Sequence, residues 1–237
     1  MKNKFLLIGA SLCFAFFSFQ PKQKENTLSA AEKKQGWILL FDGKTMDGWR
    51  IYKNKTATSW EVANGELHAK GSVTDKTDKR SDIITTDQYD NFELSIDWKI
   101  SKEGNSGILY HVTEEFDASY KSGPEYQLID DDGFPEHLED WQKTAADYAM
   151  HTTSSRPTKP LGEYNHTVIK VNGSHVEHWL NGVKVVEFEA WTPEWYALKA
   201  KGKWKDAPGY GMAKKGYIAL QDHGSEVWFK NIKLRKL

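Results

Sequence analysis

Cysteine is nearly absent from this sequence: the only one among 237 residues is Cys13. It lies in an apolar run from Phe5 to Phe19 that follows Lys2 and Lys4, and a polar stretch comes after the run. This order is typical of a secretory signal peptide, which we place at residues 1–20. Once that peptide is removed, the mature protein has no cysteine, which excludes disulfides, a thiol nucleophile and thiolate metal ligands.

The apolar run also predicts where the protein resides. It is shorter than the roughly 20 residues of a membrane-spanning helix, so cleavage and export to the bacterial periplasm or cell surface is the main prediction. An uncleaved anchor and a lipid attached to Cys13 stay open as alternatives. Bulky Leu12 stands before Cys13, where a lipoprotein signal has a small residue, and this favours plain secretion.

An excess of either charge is also missing. The chain has 32 Lys and Arg residues against 33 Asp and Glu residues, which gives a net charge of -1. Such a balance creates no overall field that would attract nucleic acid or an anionic membrane surface. We therefore expect neither as a partner, apart from the membrane anchor named above, and the sequence predicts no oligomeric state.

The familiar catalytic motifs are absent as well. The sequence contains no phosphate-binding loop, no Gly-x-Ser-x-Gly elbow and no His-Glu-x-x-His pair. Aromatic residues, in contrast, make up 13% of the chain and include 10 Trp. Aromatic rings pack in protein cores and also stack against sugar rings, so both uses are expected here.

Short strands separated by Gly, Asn and Asp turns dominate residues 36–237. Trp60–Lys70 is typical of a hairpin with an Asn-Gly turn, and Tyr164–Phe188 is typical of three strands joined by two further Asn-Gly turns. The regular strand spacing predicts one all-β domain, a concanavalin A-like jelly-roll sandwich of two antiparallel sheets.

Three stretches lack this strand pattern. Residues 21–35 have no apolar periodicity and predict a flexible, solvated tether ahead of the domain. Glu136–Tyr148 and Pro193–Tyr210 predict helix-like or loop regions, which we expect at one end of the sandwich.

Three predicted strands, GILYHV, PEYQLID and YIALQDH, carry polar groups opposite their apolar face. In the first, Ile108, Tyr110 and Val112 are expected to share the core side. A solvent-exposed face usually shows Lys, Glu and Thr, and it is the favoured interpretation of any single strand. Taken together, however, the three strands offer groups that bind neutral polyols and transfer protons. These groups are His111, Glu125, Gln127, Tyr217, Gln221 and His223.

Two further candidates have a structural interpretation that is favoured over the functional one. His178 shares a strand face with Val176 and Leu180, so a buried, hydrogen-bonded histidine is favoured over a role in substrate binding. Asp130, Asp131 and Asp132 could hold a divalent cation through oxygen ligands, although such turns are usually plain acidic loops. The sequence requires no cofactor, and a divalent metal at Asp130 and Asp132 is the one alternative.

Six segments stand in order between Trp37 and the C-terminus: FDGKTMDGW, WEVANGEL, GNSGILYHV, GPEYQLID, GEYN followed by VEHWLNG, and GYIALQDHGSEVWFKNIKLR. Together they resemble the ordered motifs of the 3-keto-disaccharide hydrolase family. The resemblance implies a concanavalin A-like jelly roll, export in bacteria that degrade glycans, and a substrate that is a sugar or glycoside oxidised at C3. Many members carry Arg where this chain has His111.

The resemblance also implies a reaction. A ketone at C3 acidifies the proton on C2, so a base can remove it and expel the C1 substituent, and water then hydrates the 2-hydroxy-3-keto-glucal. This needs a base, an acid and donors to the developing enolate. Glu125 and His223 are the candidates for base and acid, with His111 as a third.

Four further side chains have roles in that reaction. Asn105, Gln127 and Gln221 would orient hydroxyl groups or the enolate, and Tyr217, or alternatively a Trp of a loop, would stack on the ring. A non-catalytic carbohydrate-binding jelly-roll module and a conventional glycoside hydrolase are the alternative functions.

Overall fold

The structure is a computed structural model that describes residues 24–71 and 79–237. The described strands are β1 Ile38–Leu39, β2 Trp49–Ile51, β3 Trp60–Ala63, β4 Glu66–Ala69, β5 Ile83–Thr85, β6 Phe92–Ile100, β7 Asn105–Val112, β8 Glu125–Ile129, β9 Asn165–Asn172, β10 His175–Leu180, β11 Val183–Glu189, β12 Tyr217–Leu220 and β13 Val227–Lys236. Two α-helices, α1 (Ala30–Lys34) and α2 (Pro193–Lys201), accompany 3-10 turns at Tyr52–Asn54, Ser119–Lys121, Asp140–Gln142 and Lys203–Asp206.

The strands form two antiparallel sheets. The larger has the order β11-β10-β9-β6-β13-β4-β3, with β1 also paired to β13, and the smaller has the order β2-β5-β12-β7-β8. Alternate residues of β6, such as Leu94 and Ile96, share one apolar core with Ile108 and Tyr110 of β7, so the two sheets pack face to face. This confirms the predicted all-β sandwich of two antiparallel sheets.

The Asn-Gly turns lie where the sequence predicts them. Asn64 and Gly65 connect β3 to β4 with φ values of 55° and 79°, and Asn181 and Gly182 connect β10 to β11 with values of 48° and 84°. Both residues of each pair thus adopt the left-handed conformation of a tight hairpin turn, which Asn and Gly tolerate best.

The segment predicted as a solvated tether is ordered over residues 24–35. Asn26 is buried, receives a hydrogen bond from the backbone N–H of Asn231 (2.8 Å) and donates one to the Gly65 carbonyl (2.8 Å). A capping box of Ser29 and Glu32 starts α1. The tether prediction is therefore wrong for this part, because polar hydrogen bonds rather than an apolar stripe hold it on the sheet.

The predicted signal peptide, with Cys13, lies outside the described residues. Within the described ranges, none of the helices has the length and apolar character that crossing a membrane requires.

Strand β7 departs from regular alternation at its end. His111 has a φ of 53°, and the pairing of β7 with β12 shifts register between Tyr217 and Ala219, so the strand contains a β-bulge. Val112 consequently packs with Leu109 on the outer face of the smaller sheet. The prediction that Val112 shares the core side with Ile108 and Tyr110 is wrong, because the bulge reverses the alternation.

Two long connections lie beside strand β8, which is an edge strand of the smaller sheet. The first joins β8 to β9 and the second joins β11 to β12, and they contain the predicted helix-like or loop regions Glu136–Tyr148 and Pro193–Tyr210. Backbone hydrogen bonds join Gln127 to Ala145 and Ala146, and the Tyr148 N–H donates to the Glu125 carbonyl (2.9 Å). The indole N–H of Trp204, in the second connection, donates to the Tyr148 carbonyl (3.0 Å). The first connection therefore covers the open edge of β8 and pairs with its backbone groups, and the second connection packs on the first.

Candidate active site

The outer face of the smaller sheet carries a pocket of about 500 Å³. Glu125 and Gln127 of β8 point into it, whereas Tyr126 and Leu128 pack in the core between the sheets. Strand alternation thus builds the floor of the pocket. Its lining comprises Tyr52, Lys55, Arg80, Ser81, Asp82, Asn105, Asp117, Ala118, Tyr120, Glu125, Gln127, Tyr148, Lys203, Trp204, Gln221, Asp222 and His223.

The pocket brings together most of the side chains singled out in the sequence. Asn105 opens β7, Glu125 and Gln127 belong to β8, and Gln221 and His223 follow β12. Strand β7 lies between β8 and β12 in the sheet, so the ends of these three strands meet on one face. The predicted convergence of a carboxyl group, an imidazole and amides is therefore present.

Glu125 is the most perturbed titratable group of the pocket. Burial raises its pKa to about 8, the negative charges of Asp82 and Asp147 add to the rise, and the ammonium of Lys203 opposes it. Among the described residues, no group donates a hydrogen bond to its carboxyl oxygens. A carboxyl group of this kind is protonated at neutral pH and exchanges its proton near the working pH of an enzyme.

Gly107 makes room for this carboxyl group. It lies in β7 beside β8, and a Cβ atom at this position would collide with Oε1 of Glu125. Only glycine lets the two strands pair while the Glu125 side chain lies over the neighbouring backbone. The last glycine of the sequence Gly-Asn-Ser-Gly thus provides the space that the Glu125 side chain occupies.

Two amide side chains lie beside Glu125. Gln127 is 2% exposed, and its Oε1 accepts a hydrogen bond from the Leu128 N–H (3.2 Å), which leaves the amide N–H groups for a ligand. Gln221 is 8% exposed, and its buried Oε1 has no partner in the described part of the chain. The Gln221 backbone N–H is bonded to the Gly107 carbonyl (2.9 Å), which fixes the side chain over the sheet.

His223 lies at the mouth of the pocket and is exposed. It follows Asp222, whose backbone N–H donates to Oδ1 of Asp82 (2.9 Å). The imidazole therefore stands at the solvent side of the pocket, where it can exchange protons with water.

Sequence reasoning missed six charged groups that line the pocket, and three of them, Arg80, Asp82 and Asp222, are linked by hydrogen bonds. Asp82 stands just before β5, and it accepts hydrogen bonds from the Ser119 hydroxyl and the Asp222 N–H. Burial raises its pKa. Asp222 accepts from Nη1 of Arg80 (2.8 Å). Asp222 could have been found, because it stands between two candidates in the segment YIALQDH, whereas nothing local to Arg80 or Asp82 marks them.

Aromatic and cationic side chains, Tyr120, Tyr148, Lys203 and Trp204, form a wall of the pocket, the aromatic wall. Trp204 is buried and stacks on Tyr210 with ring centroids 4.1 Å apart. Lys203 lies 4.3 Å from the ring centre of Tyr148, and the exposed ring of Tyr120 lies at the rim. These rings suit a sugar ring, whose C–H faces stack on aromatic surfaces.

Two of the candidates lie elsewhere on the smaller sheet. Because of the bulge, His111 turns away from the pocket, packs edge-on against Phe92 and donates from Nε2 to the Asp90 carbonyl (2.8 Å). Burial lowers its pKa. Tyr217 packs on a small apolar cluster beneath Arg50, whose guanidinium lies 5.0 Å from the ring centre. Neither residue lines the pocket, so the roles predicted for them are not supported.

His178 is a core residue. It is fully buried, its Nδ1 donates to the Ala145 carbonyl (3.0 Å), and its Nε2 lies 3.3 Å from the Tyr110 hydroxyl. Burial lowers its pKa. The structure thus agrees with the favoured interpretation of a buried, hydrogen-bonded histidine and removes His178 from the substrate-binding candidates.

The acidic turn lies in a separate pocket. Asp130 accepts hydrogen bonds from the N–H groups of Glu103 (2.9 Å) and Gly133 (3.1 Å), so it organises the turn. Asp132 is exposed. Among residues 24–71 and 79–237, converging ligand atoms occur at His175, Glu177 and Glu187 on the larger sheet rather than here. A metal at Asp130 and Asp132 stays an untested prediction.

Known proteins resemble the chain in sequence. A curated protein of Bacteroides thetaiotaomicron named 3-keto-disaccharide hydrolase is 34% identical over 228 residues, which cover 85% of this chain and 79% of that protein. The crystal structure of a Parabacteroides distasonis protein, provisionally named a glycosyl hydrolase, is 41% identical, with a TM-score of 0.83 over 90% of this chain and all of that one.

The fold extends to more distant proteins. The carbohydrate-binding module CBM66 of Bacillus subtilis is 11% identical, with a TM-score of 0.51 over 80% of this chain and 96% of that one, and it shares the fold alone. Residues 36–235 match the family described as the 3-keto-alpha-glucoside-1,2-lyase-like domain. The chain is a member of that family.

Proposed function

We propose that this protein is an exported enzyme that cleaves 3-keto-glycosides by elimination followed by hydration. The observation that carries the proposal is the pocket around Glu125, a carboxyl group whose pKa of about 8 suits proton transfer near neutral pH. Family membership and the name of the Bacteroides relative support an oxidised sugar as the substrate.

The first step is an elimination. A base takes the proton from C2, which the neighbouring C3 ketone makes acidic, and the electron pair forms an enolate. The bond between C1 and the leaving oxygen then breaks, an acid protonates that oxygen, and a 2-hydroxy-3-keto-glucal remains. In the second step water adds its oxygen to C1 and a proton to C2, which yields the free 3-keto sugar. No redox cofactor enters, because the two steps together amount to a hydrolysis.

The pocket supplies a group for each proton. Glu125 lies on the floor, where a ring stacked on the aromatic wall would present its reacting carbons. His223 at the mouth is suited to the leaving oxygen, which must point toward solvent. The amides of Gln127, Gln221 and Asn105 can donate to the enolate oxygens, which gain negative charge in the transition state.

A conventional glycoside hydrolase needs two carboxyl groups that face the scissile bond. Of the other carboxyl groups that line the pocket, Asp82 already accepts hydrogen bonds from Ser119 and Asp222, and Asp222 accepts from Arg80 and Gly224. This arrangement favours elimination over the two-carboxylate mechanism.

The experiment is a product analysis with the purified protein. Methyl 3-keto-α-D-glucopyranoside and methyl α-D-glucopyranoside are incubated separately and followed by NMR. We expect methanol and 3-keto-glucose from the first compound and no reaction of the second, whose C2 proton is too weakly acidic for a side-chain base. Comparable rates on both compounds, or no reaction of the oxidised one, would overturn the proposal.

A further inference from the structure

Three buried polar atoms of the pocket have no hydrogen-bond partner within residues 24–71 and 79–237: Nη2 of Arg80, Oε1 of Gln221 and Oδ2 of Asp222. Buried polar atoms in folded proteins almost always have a partner. Three orphans on neighbouring side chains of one pocket therefore point to groups that a ligand brings.

These side chains are held in place by their other atoms. Nη1 of Arg80 donates to Oδ1 of Asp222 (2.8 Å) and to the Lys70 carbonyl (2.9 Å), and the Gly224 N–H donates to the same Oδ1 (3.1 Å). The Asp222 side chain is 0% exposed. The unpaired atoms are thus fixed in direction but covered, so a ligand hydroxyl reaches them after a small displacement of the side chains around them.

The chemistry of the three atoms selects the ligand. One is a donor and two are acceptors, so the matching group must both donate and accept hydrogen bonds, as a hydroxyl does. A carboxylate or a phosphate group lacks the hydrogen atoms to donate to the two acceptors, and it would lie beside the carboxylate of Asp222. The three atoms are therefore complementary to the hydroxyl groups of a neutral polyol rather than to a uronate or a phosphate.

We propose that Arg80, Gln221 and Asp222 form a subsite for the hydroxyl groups at C4 and C6 of a neutral hexopyranoside. The inference rests on the proposed function for the identity of the sugar. In a 3-keto-glycoside, C1 and C2 react and C3 carries the ketone, so the hydroxyls at C4 and C6 are the ones left for recognition. The subsite holds the ring so that C2 lies over Glu125.

The kinetic test compares methyl 3-keto-α-D-glucopyranoside with its 4-deoxy and 6-deoxy analogues. We expect the wild type to lose about 30-fold or more in kcat/KM on at least one analogue, because polar groups built to bind a hydroxyl are left unpaired without it. Asp222→Asn should shrink this ratio to about 3-fold or less, mainly by slowing the parent compound. The matched control Asp87→Asn, at an exposed position, should keep the wild-type ratio.

Gln221→Met is the second variant, because it leaves the pair of Arg80 and Asp222 intact and so guards against a folding defect in Asp222→Asn. It should also reduce the ratio. Equal kcat/KM values on the parent and both deoxy compounds, or turnover of the corresponding 3-keto-glucuronide as fast as of the neutral compound, would overturn the subsite while leaving the proposed function intact.

A binding experiment tests the subsite independently of the proposed reaction. Methyl α-D-glucopyranoside and its 4-deoxy and 6-deoxy analogues can be tested by saturation-transfer NMR without any turnover. Weaker binding of a deoxy analogue, lost in Asp222→Asn, supports the subsite even if no 3-keto-glycoside reacts. Equal binding of all three sugars, or no binding of any, together with the absence of discrimination in kcat/KM, overturns it.

Discussion

Glu125 is the residue on which the proposed reaction depends most. Its carboxyl group is buried but faces a pocket, and it lies over Gly107, where any larger residue would displace it. A buried carboxylate without donors is costly, and protonation removes most of that cost. Nothing in the packing of the sandwich needs an acid at this position, since the neighbouring core positions of β8 are filled by Tyr126 and Leu128.

The first prediction concerns activity. Glu125→Gln keeps the size of the side chain but cannot transfer a proton, so kcat on a 3-keto-glucoside should fall by about 100-fold or more, with a much smaller change in KM. The control is Glu136→Gln, because Glu136 is exposed and lies away from the pocket, and it should behave as the wild type. A folded Glu125→Gln protein with most of the wild-type kcat would make His223 the leading candidate.

The second prediction concerns stability. The pKa of Glu125 is raised from 4.5 to about 8 by folding, so between these pH values the folded state keeps a proton that the unfolded state has lost. This group therefore destabilises the fold progressively as pH rises from about 4.5 to about 8. The Tm of Glu125→Gln relative to the wild type should increase between pH 5 and pH 8, measured by calorimetry. A constant difference would mean that the carboxyl group is not desolvated.

At the scale of elements, alternation along strands carries most of what the sequence predicts. The apolar residues Tyr126 and Leu128 predict that Glu125 and Gln127 lie on the polar face of β8, and the structure agrees. The prediction that His111 lies on this polar face is wrong for a physical reason. The bulge at His111 depends on the pairing of β7 with β12, which is distant in sequence, so no local pattern predicts it.

Side chains that act across long sequence distances were also beyond prediction. Arg80 and Asp222 meet only because β5 and β12 are neighbours in the sheet. Residues 21–35 predict a tether because they lack apolar periodicity, yet the side-chain amide of Asn26 binds backbone groups of the β3–β4 turn and of strand β13. Apolar periodicity indicates which faces of an element are buried by apolar contacts. It does not reveal a segment that is held by polar hydrogen bonds.

The third prediction concerns the 3-10 turn after α2. Its Lys203 is the positive charge that lowers the pKa of Glu125. Lys203→Met should therefore raise that pKa and move the Glu125-dependent limb of the pH profile of kcat to higher pH. Because Lys203 is exposed, we expect a change of less than about 10-fold in kcat at pH 7. Lys201→Met on α2, an exposed lysine outside the pocket, should leave the profile unchanged, and an unmoved profile in Lys203→Met would exclude this electrostatic link.

For the whole molecule, the sandwich serves as a rigid support. Two antiparallel sheets share one core, and the pocket lies on the outer face of the smaller sheet, where long connections can add side chains without disturbing that core. The proposed export would remove the protein from reducing compartments, yet the sequence after the proposed signal peptide has no cysteine with which to form a disulfide.

The fourth prediction follows from that composition. The protein expressed from the full sequence and purified after export should have the same Tm with and without a reducing agent, because cleavage removes Cys13 and packing and hydrogen bonds alone stabilise the rest. A lower Tm under reducing conditions would contradict the proposed cleavage site and the argument from cysteine.

The most direct test of the central claim is the fate of the proton at C2. The wild-type protein and Glu125→Gln are incubated with methyl 3-keto-α-D-glucopyranoside in D2O, and the recovered 3-keto-glucose is analysed by NMR. Elimination and hydration predict deuterium at C2 at the rate of methanol release, with both lowered together in Glu125→Gln. Because free 3-keto-glucose also exchanges slowly, a control without enzyme sets the background. Methanol release with protium retained at C2 would contradict the account.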